Sequence, residues 1–463
     1  MNSVPDGMTP ESRRQLAPAL ALAVAASVAL AFADSSIVVL ALPQLLLELD
    51  TTVVGVSWVI TAFNLVVAAA VLGLLPLTRR IRIPAVTFGG LGLFLAASVA
   101  CGVSQSLVQL IVFRSIQGLG AALLLVGSLP LLARLSGSSR RGLSLWVTAG
   151  TVGVSVGPAL GGLLTEYFEW RSIFIAQAPV AGLALLAVFD SRARDIPVEE
   201  EKPAARETLR ANFGLMLLFG ALVGAVFLAV LVLVAVWDLG PLAGAGVVSA
   251  LPAGALLTRP LSALLVGAID VAAGAVLLAL GLVGLALLPA ASAIYAGLAL
   301  AVCGAGLGLA VPPLTRRSVD VAAGLTRSGT ISIGARHVGL VVALVAIAPL
   351  LGHELDQGAD RATLNATAVI LDAPLPLGQK VPIALDLRDE FEQTPKGEIP
   401  DLAGPFDENG ASDDPDVSAV RDSLLATIEG ALTRSFRSSF FVAAVFALLA
   451  LVPALGYRRR IVE

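Results

Sequence analysis

Long apolar runs alternate with short polar breaks along almost the whole chain. A helix needs about 20 mostly apolar residues to cross the hydrocarbon core of a bilayer. Such runs recur at 16–47, 54–76, 84–103, 106–133, 143–165 and 171–189, then at 213–237, 241–265, 271–290, 293–314, 328–351 and 438–457. The pattern predicts six spanning helices, a break, and six more. The break, SRARDIPVEEEKPAARETLRAN at 191–212, is polar, mixed in charge and holds two prolines, as a solvated connector does.

Composition agrees with the pattern: 57% of the 463 residues are hydrophobic and only 14% charged, which excludes an ordinary soluble domain. The first run carries Asp34 in its interior and shows no convincing small-residue cleavage site, so it is read as a retained span and not as a signal peptide. Charge then orients the spans. With both ends inside, the cytoplasmic connections hold Arg79, Arg80, Arg82, Arg134, Arg140, Arg141, Arg316, Arg317 and Arg327, and the tail holds Arg458, Arg459 and Arg460. The short outer connections offer Arg171 beside Glu48, Asp50, Glu166, Glu169 and Asp238. By the positive-inside rule both termini are cytoplasmic and the chain is a multi-pass protein of the cell membrane. Only three lysines occur, and arginine supplies nearly all basic charge, a bias expected of a GC-rich bacterial genome.

The predicted organisation is an N-terminal six-helix bundle at 1–190, the linker, spans 7–11 at 213–351, an insertion at 352–437, and the last span with its tail at 438–463. The insertion carries 17 acidic against 7 basic residues and is expected to face outward. Its prolines and the run FDENGASDDPD predict loops with little regular core, whereas VRDSLLATIEGALTRSF (420–436) repeats apolar residues at helical spacing and predicts an amphipathic helix leading into the last span. FDENGASDDPD lacks the regular ligand spacing of a calcium loop.

Ionisable groups inside spans are the informative ones, because a charge in hydrocarbon must face a partner or water. Asp34 lies in span 1, Arg114 in span 4, Arg259 in span 8, and Arg336 with His337 in span 11. Arg114 sits about 8 residues, hence about 12 Å, from the outer end of its span, and Asp34 lies at similar depth. An acid and a base at one depth predict an ion pair or a shared aqueous cavity in which a proton could be taken up and released. In GTVGVSVGPALGGLL (150–164), Gly153, Gly157, Gly161 and Gly162 fall near one face at spacings of about four, which permits close approach of a neighbouring helix; Pro158 favours a kink.

The segments FADSSIVVLALPQL, SWVITAFNL, FRSIQGLGAALL, and GVSVGPALGG with WRSIFIAQAPVA, in this order and spacing, resemble the drug:proton antiporters of the major facilitator superfamily, EmrB/QacA-like branch. The resemblance is strong over 30–190 and weaker in LPAGALL, GLGLAVPPLTRRSV and ISIGARHVGL. It implies two pseudo-symmetric six-helix bundles around a central cavity that rock between inward- and outward-open states as protons enter. Asp34 matches the acid of the first-span motif; Arg114, Gln117 and Gly118 match the arginine-centred motif; Gly153, Gly157, Pro158, Gly161 and Gly162 match the antiporter motif of span 5. Arg336 stands where the family commonly has an arginine. The chain departs from the pattern at Leu77 and Arg80 in the connection between spans 2 and 3, at Val39, and in LVGAIDVAAG after span 8.

The function so implied is secondary active efflux of lipophilic or amphipathic small molecules in exchange for protons. Asp34 and Arg114 are the expected coupling pair, and Trp58, Thr61, Asn64, Gln117 and Arg336 the expected cavity residues. A predominantly apolar cavity with one acid would suit lipophilic cations and equally a neutral lipid. Export of an endogenous lipid or secondary metabolite, and a transport-deficient sensor or scaffold binding an outer partner through the acidic insertion, are the alternatives. Enzymatic readings find no footing: His337 and His353 are the only histidines, and no nucleotide loop, metal cluster or catalytic set can be assembled. No cofactor, metal or nucleic acid is expected. Cys101 and Cys303, each in an apolar run, read as small core residues.

Overall fold

The structure, a computed structural model, describes residues 10–80, 82–188, 205–263, 269–288, 291–319, 324–372 and 415–455, with short pieces between 381 and 389. Every described element is helical. Twelve stretches are long and apolar enough to cross a bilayer. They are α1 (Pro18–Val39), α2 (Val53–Arg80), α3 (Ile83–Gly102), α4 (Leu107–Leu135), α5 (Ser139–Phe168), α6 (Arg171–Val188), α7 (Arg206–Val236), α8 (Pro241–Leu261), α9 (Ile269–Ala286), α10 (Ala293–Ser318), α11 (Leu325–Gly358) and α12 (Ala426–Leu455).

The packing repeats itself. Within the first six helices α1 lies on α5, α2 on α4, α3 on α4 and α3 on α6; the same pairings recur six helices later as α7 on α11, α8 on α10, α9 on α10 and α9 on α12. The two sets meet chiefly through α2 against α11 and α5 against α8, which are images of each other under the same shift. The connector between α6 and α7 is shorter than the predicted 191–212, because α7 already begins at Arg206; it joins them at the end where α5 begins and α8 and α10 finish. That end is called the linker end below, and the opposite one the far end.

Two departures from the sequence expectation have local causes. The first run is not one helix: α1 stops at Val39, and a separate helix spans Leu42–Glu48. Pro43 cannot donate to the carbonyl of Val39 four residues earlier and its ring would collide with it, so the helix ends there. At the other end of the chain, the helix of α11 runs on to Asp372 where loops were predicted from 352. The stretch 352–372 contains no proline and is rich in Leu and Ala, so nothing stops the helix once it has left the apolar region. The predicted amphipathic helix is present as Pro415–Ser435 and packs along this extension. Trp237 Nε1 donates to Thr433 Oγ1 at 2.9 Å, and Ser438 Oγ donates to Glu354 Oε1 at 3.2 Å. The run FDENGASDDPD lies outside the described residues.

The prolines inside α5, α8 and α10 weaken those helices, Pro158 and Pro252 at similar depth and Pro312 nearer the linker end. Pro158, Pro252 and Pro312 each withhold the N–H that would bond the carbonyl four residues before, and α8 is divided near Pro252 into Pro241–Val248 and Ala250–Thr258. All three face the cavity described next.

Candidate functional site

Asp34 and Arg114 meet in the interior of the first six helices, both fully buried. Arg114 Nη2 lies 2.6 Å from Asp34 Oδ2, and Nη1 donates to Asp34 Oδ1 at 2.9 Å, a two-point guanidinium–carboxylate pair. The guanidinium is fixed further by Nε donating to the Val59 carbonyl at 3.0 Å and Nη1 donating to Gln117 Oε1 at 2.7 Å. The Phe63 ring lies 4.3 Å from its central carbon, and the Phe174 ring 5.6 Å. Gln117 Nε2 donates to Ser98 Oγ and to Gln177 Oε1, both at 2.8 Å, and Gln177 Nε2 donates to Asp34 Oδ1 at 3.1 Å. Asp34, Arg114, Gln117 and Gln177 therefore close a ring that ties α1, α4 and α6 together, with α2 and α3 attached through Val59 and Ser98.

A buried ion pair is tolerable only when its remaining donors and acceptors are also met, and this ring meets most of them. Gln177→Leu removes two of its bonds, leaving Asp34 and Gln117 each short of a partner. The expected cost is about 1–3 kcal/mol, read as a lowered unfolding temperature of the purified protein; an unchanged temperature would mean the ring is not a structural unit.

The glycines of α5 set how closely α1 approaches. A Cβ at Gly153 would strike the Ala29 carbonyl, one at Gly157 the Ser36 hydroxyl, and one at Gly161 the Ile37 carbonyl. Asp34 lies on α1 between the first and last of these contacts, so the seam carries the acid. Gly162 faces the other way, onto Ala245 and the Pro241 carbonyl of α8. There Glu166 Oε2 also accepts from the Leu242 N–H at 3.2 Å, closing α5 on α8 at the far end. Gly118 of α4 lies against the Phe63 backbone of α2, 2.5 Å from where its Cβ would stand to the carbonyl oxygen.

Between the two sets of helices lies a cavity of two chambers. Phe32, Val154, Phe219, Leu222 and Arg336 line both chambers, which makes them continuous. Val147 near the start of α5, Arg259 near the end of α8 and Thr315 near the end of α10 line the larger one, so it reaches toward the linker end. The walls are mostly apolar, as small-molecule sites are. Arg336 is 6% exposed; its Nη2 donates to Thr315 Oγ1 at 3.0 Å. Beside it, His337 Nδ1 lies 2.7 Å from Asn64 Oδ1, and Asn64 Nδ2 donates to Ser35 Oγ at 2.9 Å and to the Ile60 carbonyl at 2.8 Å. This chain of polar contacts joins α11 to α2 and α1.

Residues 24–352 match the family model described as Major Facilitator Superfamily. The chain belongs to the Major Facilitator Superfamily. Within it, this facilitator is 34% identical over 182 residues to the drug efflux pump JefA of Mycobacterium tuberculosis, an overlap of 39% of this chain and 35% of JefA. It is 31% identical over 185 residues to the methylenomycin A resistance protein of Streptomyces coelicolor, covering 38% of this chain and 39% of the relative. The matched part thus spans little more than a third of each of these relatives. A crystal structure of a bacterial homologue of the human lysosomal transporter Spinster, inward-facing and unoccupied, superposes with a TM-score of 0.63 at 14% identity, over 97% of this chain and 98% of that one. That likeness shows the fold.

Of the residues expected at the facilitator's cavity from sequence, Arg336 alone lines it. Trp58 is 42% exposed on α2, away from the lining, and Thr61 donates to the Ser57 carbonyl of its own helix at 2.9 Å. Gln117 is consumed by the Arg114 ring, and Asn64 stands one layer back, behind Ser35 and His337. Asp34 does not line the cavity either, so the acid expected in its wall is absent from it. Sequence reasoning passed over Gln177 and Ser98, although both are polar groups within spans and carried that signal. It also passed over Phe32, Phe219 and Thr315, for which an apolar or weakly polar residue in a span gives no signal. Cys101 and Cys303 are buried free thiols.

Proposed function

We propose that this facilitator exports lipophilic or amphipathic small molecules in exchange for protons by alternating access. The observation that carries the proposal is the cavity between α5, α8 and α10, walled by both sets of helices, closed by α5 on α8 at the far end and reaching toward the linker end. Rocking the unit at 1–190 against spans 7–11 and α12 about this cavity would part the Gly162 contact and close the opposite side. The printed names of the relatives, a drug efflux pump and an antibiotic resistance protein, support an exported cargo of this kind. The Asp34–Arg114 pair, next to the α1–α5 seam, is the proposed coupling element, with Gly118, Gly153, Gly157, Pro158, Gly161 and Gly162 as the packing that transmits its state. In this scheme the linker end is cytoplasmic, as the arginine-rich connections there require, and the insertion at 352–437 is extracytoplasmic, where an outer partner could reach it.

Purified protein in proteoliposomes should move a fluorescent amphiphile when a pH gradient is imposed, and stop when an ionophore collapses the gradient. An impermeant thiol reagent should label a cysteine introduced at position 380 but not one at 196 in intact cells. Movement indifferent to the gradient would end the coupling proposal, and the reverse labelling pattern would end the orientation.

A further inference from the structure

Among the described residues Arg336 is a cation without a carboxylate. It is more than nine-tenths buried, lines both chambers, and spends one donor on Thr315, while its Nε–H has no partner. No acidic residue of the described chain pairs with it; the rings of Phe219, Phe32 and Trp146 surround it instead, at 5.1, 5.6 and 5.6 Å from its central carbon. Those rings temper the charge without neutralising it. Among the described residues, the cavity lining has a second arginine, Arg259, toward the linker end, and no aspartate or glutamate. Asp34, the acid buried within α1, is committed to Arg114 outside the lining.

A guanidinium stays charged at physiological pH, and its unused donors in a low-dielectric wall are costly unless an acceptor arrives. The group that satisfies it best is a planar oxyanion, which accepts two parallel N–H bonds. We infer that the cavity selects amphipathic organic anions, specifically a carboxylate on an apolar body. The carboxylate docks on Arg336 beside the Thr315 hydroxyl, and the body lies along Leu222, Leu251, Leu307 and Val311. A lipophilic cation of the same shape would meet like charge and no counter-ion, and the faces of Phe32 and Phe219 that could receive it are already occupied by Arg336. The inference rests on the transport proposal above, and it names the cargo's chemistry.

The test is equilibrium binding to full-length protein in lipid nanodiscs. Two probes of equal chain length are compared by fluorescence titration, a dansylated alkyl carboxylate and a dansylated alkyl trimethylammonium. The carboxylate should bind at least about tenfold tighter, and Arg336→Met should weaken it by about 10- to 100-fold and abolish the preference. Arg336→Lys should keep part of the preference, because the charge remains but the two-point geometry does not. Thr315→Val should cost a few-fold, and thermal unfolding of each variant checks that it is folded. Equal or tighter binding of the ammonium probe overturns the inference, as does failure of both probes to bind or a preference that survives Arg336→Met. The same probes in proteoliposomes separate the two proposals. Carboxylate binding without gradient-driven movement keeps the site and ends the transport proposal, whereas driven movement of the ammonium probe ends the anion site alone.

Discussion

Arg114→Ala is expected to abolish gradient-driven export and to destabilise the protein by about 3–5 kcal/mol, the usual cost of leaving one member of a buried ion pair uncompensated. Both members are fully buried, so water cannot replace the lost partner. The loss reaches beyond the carboxylate: the Val59 carbonyl and Gln117 Oε1 lose their donor in the same step. Asp34→Asn should be gentler on folding, because its amide oxygen can still accept from Arg114 and Gln177, yet it should also stop export, because a neutral group cannot exchange a proton. The double variant Asp34→Asn/Arg114→Gln removes both charges and should recover much of the stability lost in Arg114→Ala without recovering transport. Thermal unfolding in detergent and transport in proteoliposomes, measured on all three, separate these outcomes. Export at the parent rate in a folded Asp34→Asn protein would remove this pair from the coupling mechanism.

The second large effect is expected at the α1–α5 seam. Gly153→Val places a branched side chain where the Ala29 backbone now lies, and no rotamer change can relieve a collision with main chain. Overpacking of this kind costs about 1–3 kcal/mol where the structure can yield. Here yielding means displacing α1, and α1 carries Asp34 between the contacts at Ala29 and Ile37. Export should therefore fall more steeply than stability, at least about tenfold. Gly157→Leu should act similarly through Ser36, whose hydroxyl already donates to the Ala33 carbonyl at 2.8 Å. Gly89→Ala on α3 is the matched control: nothing lies within 4 Å of the new methyl, so stability and export should be unchanged or slightly improved. A Gly153→Val protein with parent-like unfolding temperature and export would show that close approach at this seam is not required.

Much of the protein could be read from the order of its residues. Twelve spans follow from run length, because bilayer thickness sets how many consecutive apolar residues a helix must have. Depth narrowed Asp34 and Arg114 to an ion pair or a shared aqueous cavity, because a charge in an apolar slab must meet a partner or water; the packing of α1 against α4 decided for the pair. The close approach of α5 to a neighbour follows from glycines spaced by about one turn.

Which neighbour, and which face looks inward, did not follow. In a soluble protein a helix declares its inner face by an apolar stripe, but here lipid and protein interior are equally apolar, so rotation about the helix axis leaves little trace in composition. That is why Trp58 and Asn64, polar or aromatic residues in motif-bearing spans, were expected in the cavity and lie outside it, while Phe219 and Leu222 line it unannounced. Gln177 joins Asp34 across 143 residues of chain, a pairing that only the return of α6 beside α1 and α4 creates. The break at Leu40 and the continuation of the helix to Asp372 were decided locally, by a proline in one case and by its absence in the other. Apolarity and run length determined twelve stretches able to cross the membrane, with an acid and a base sunk inside them; the packing of one six-helix set against the other decided that, among the described residues, the cavity wall holds Arg336 and no acid.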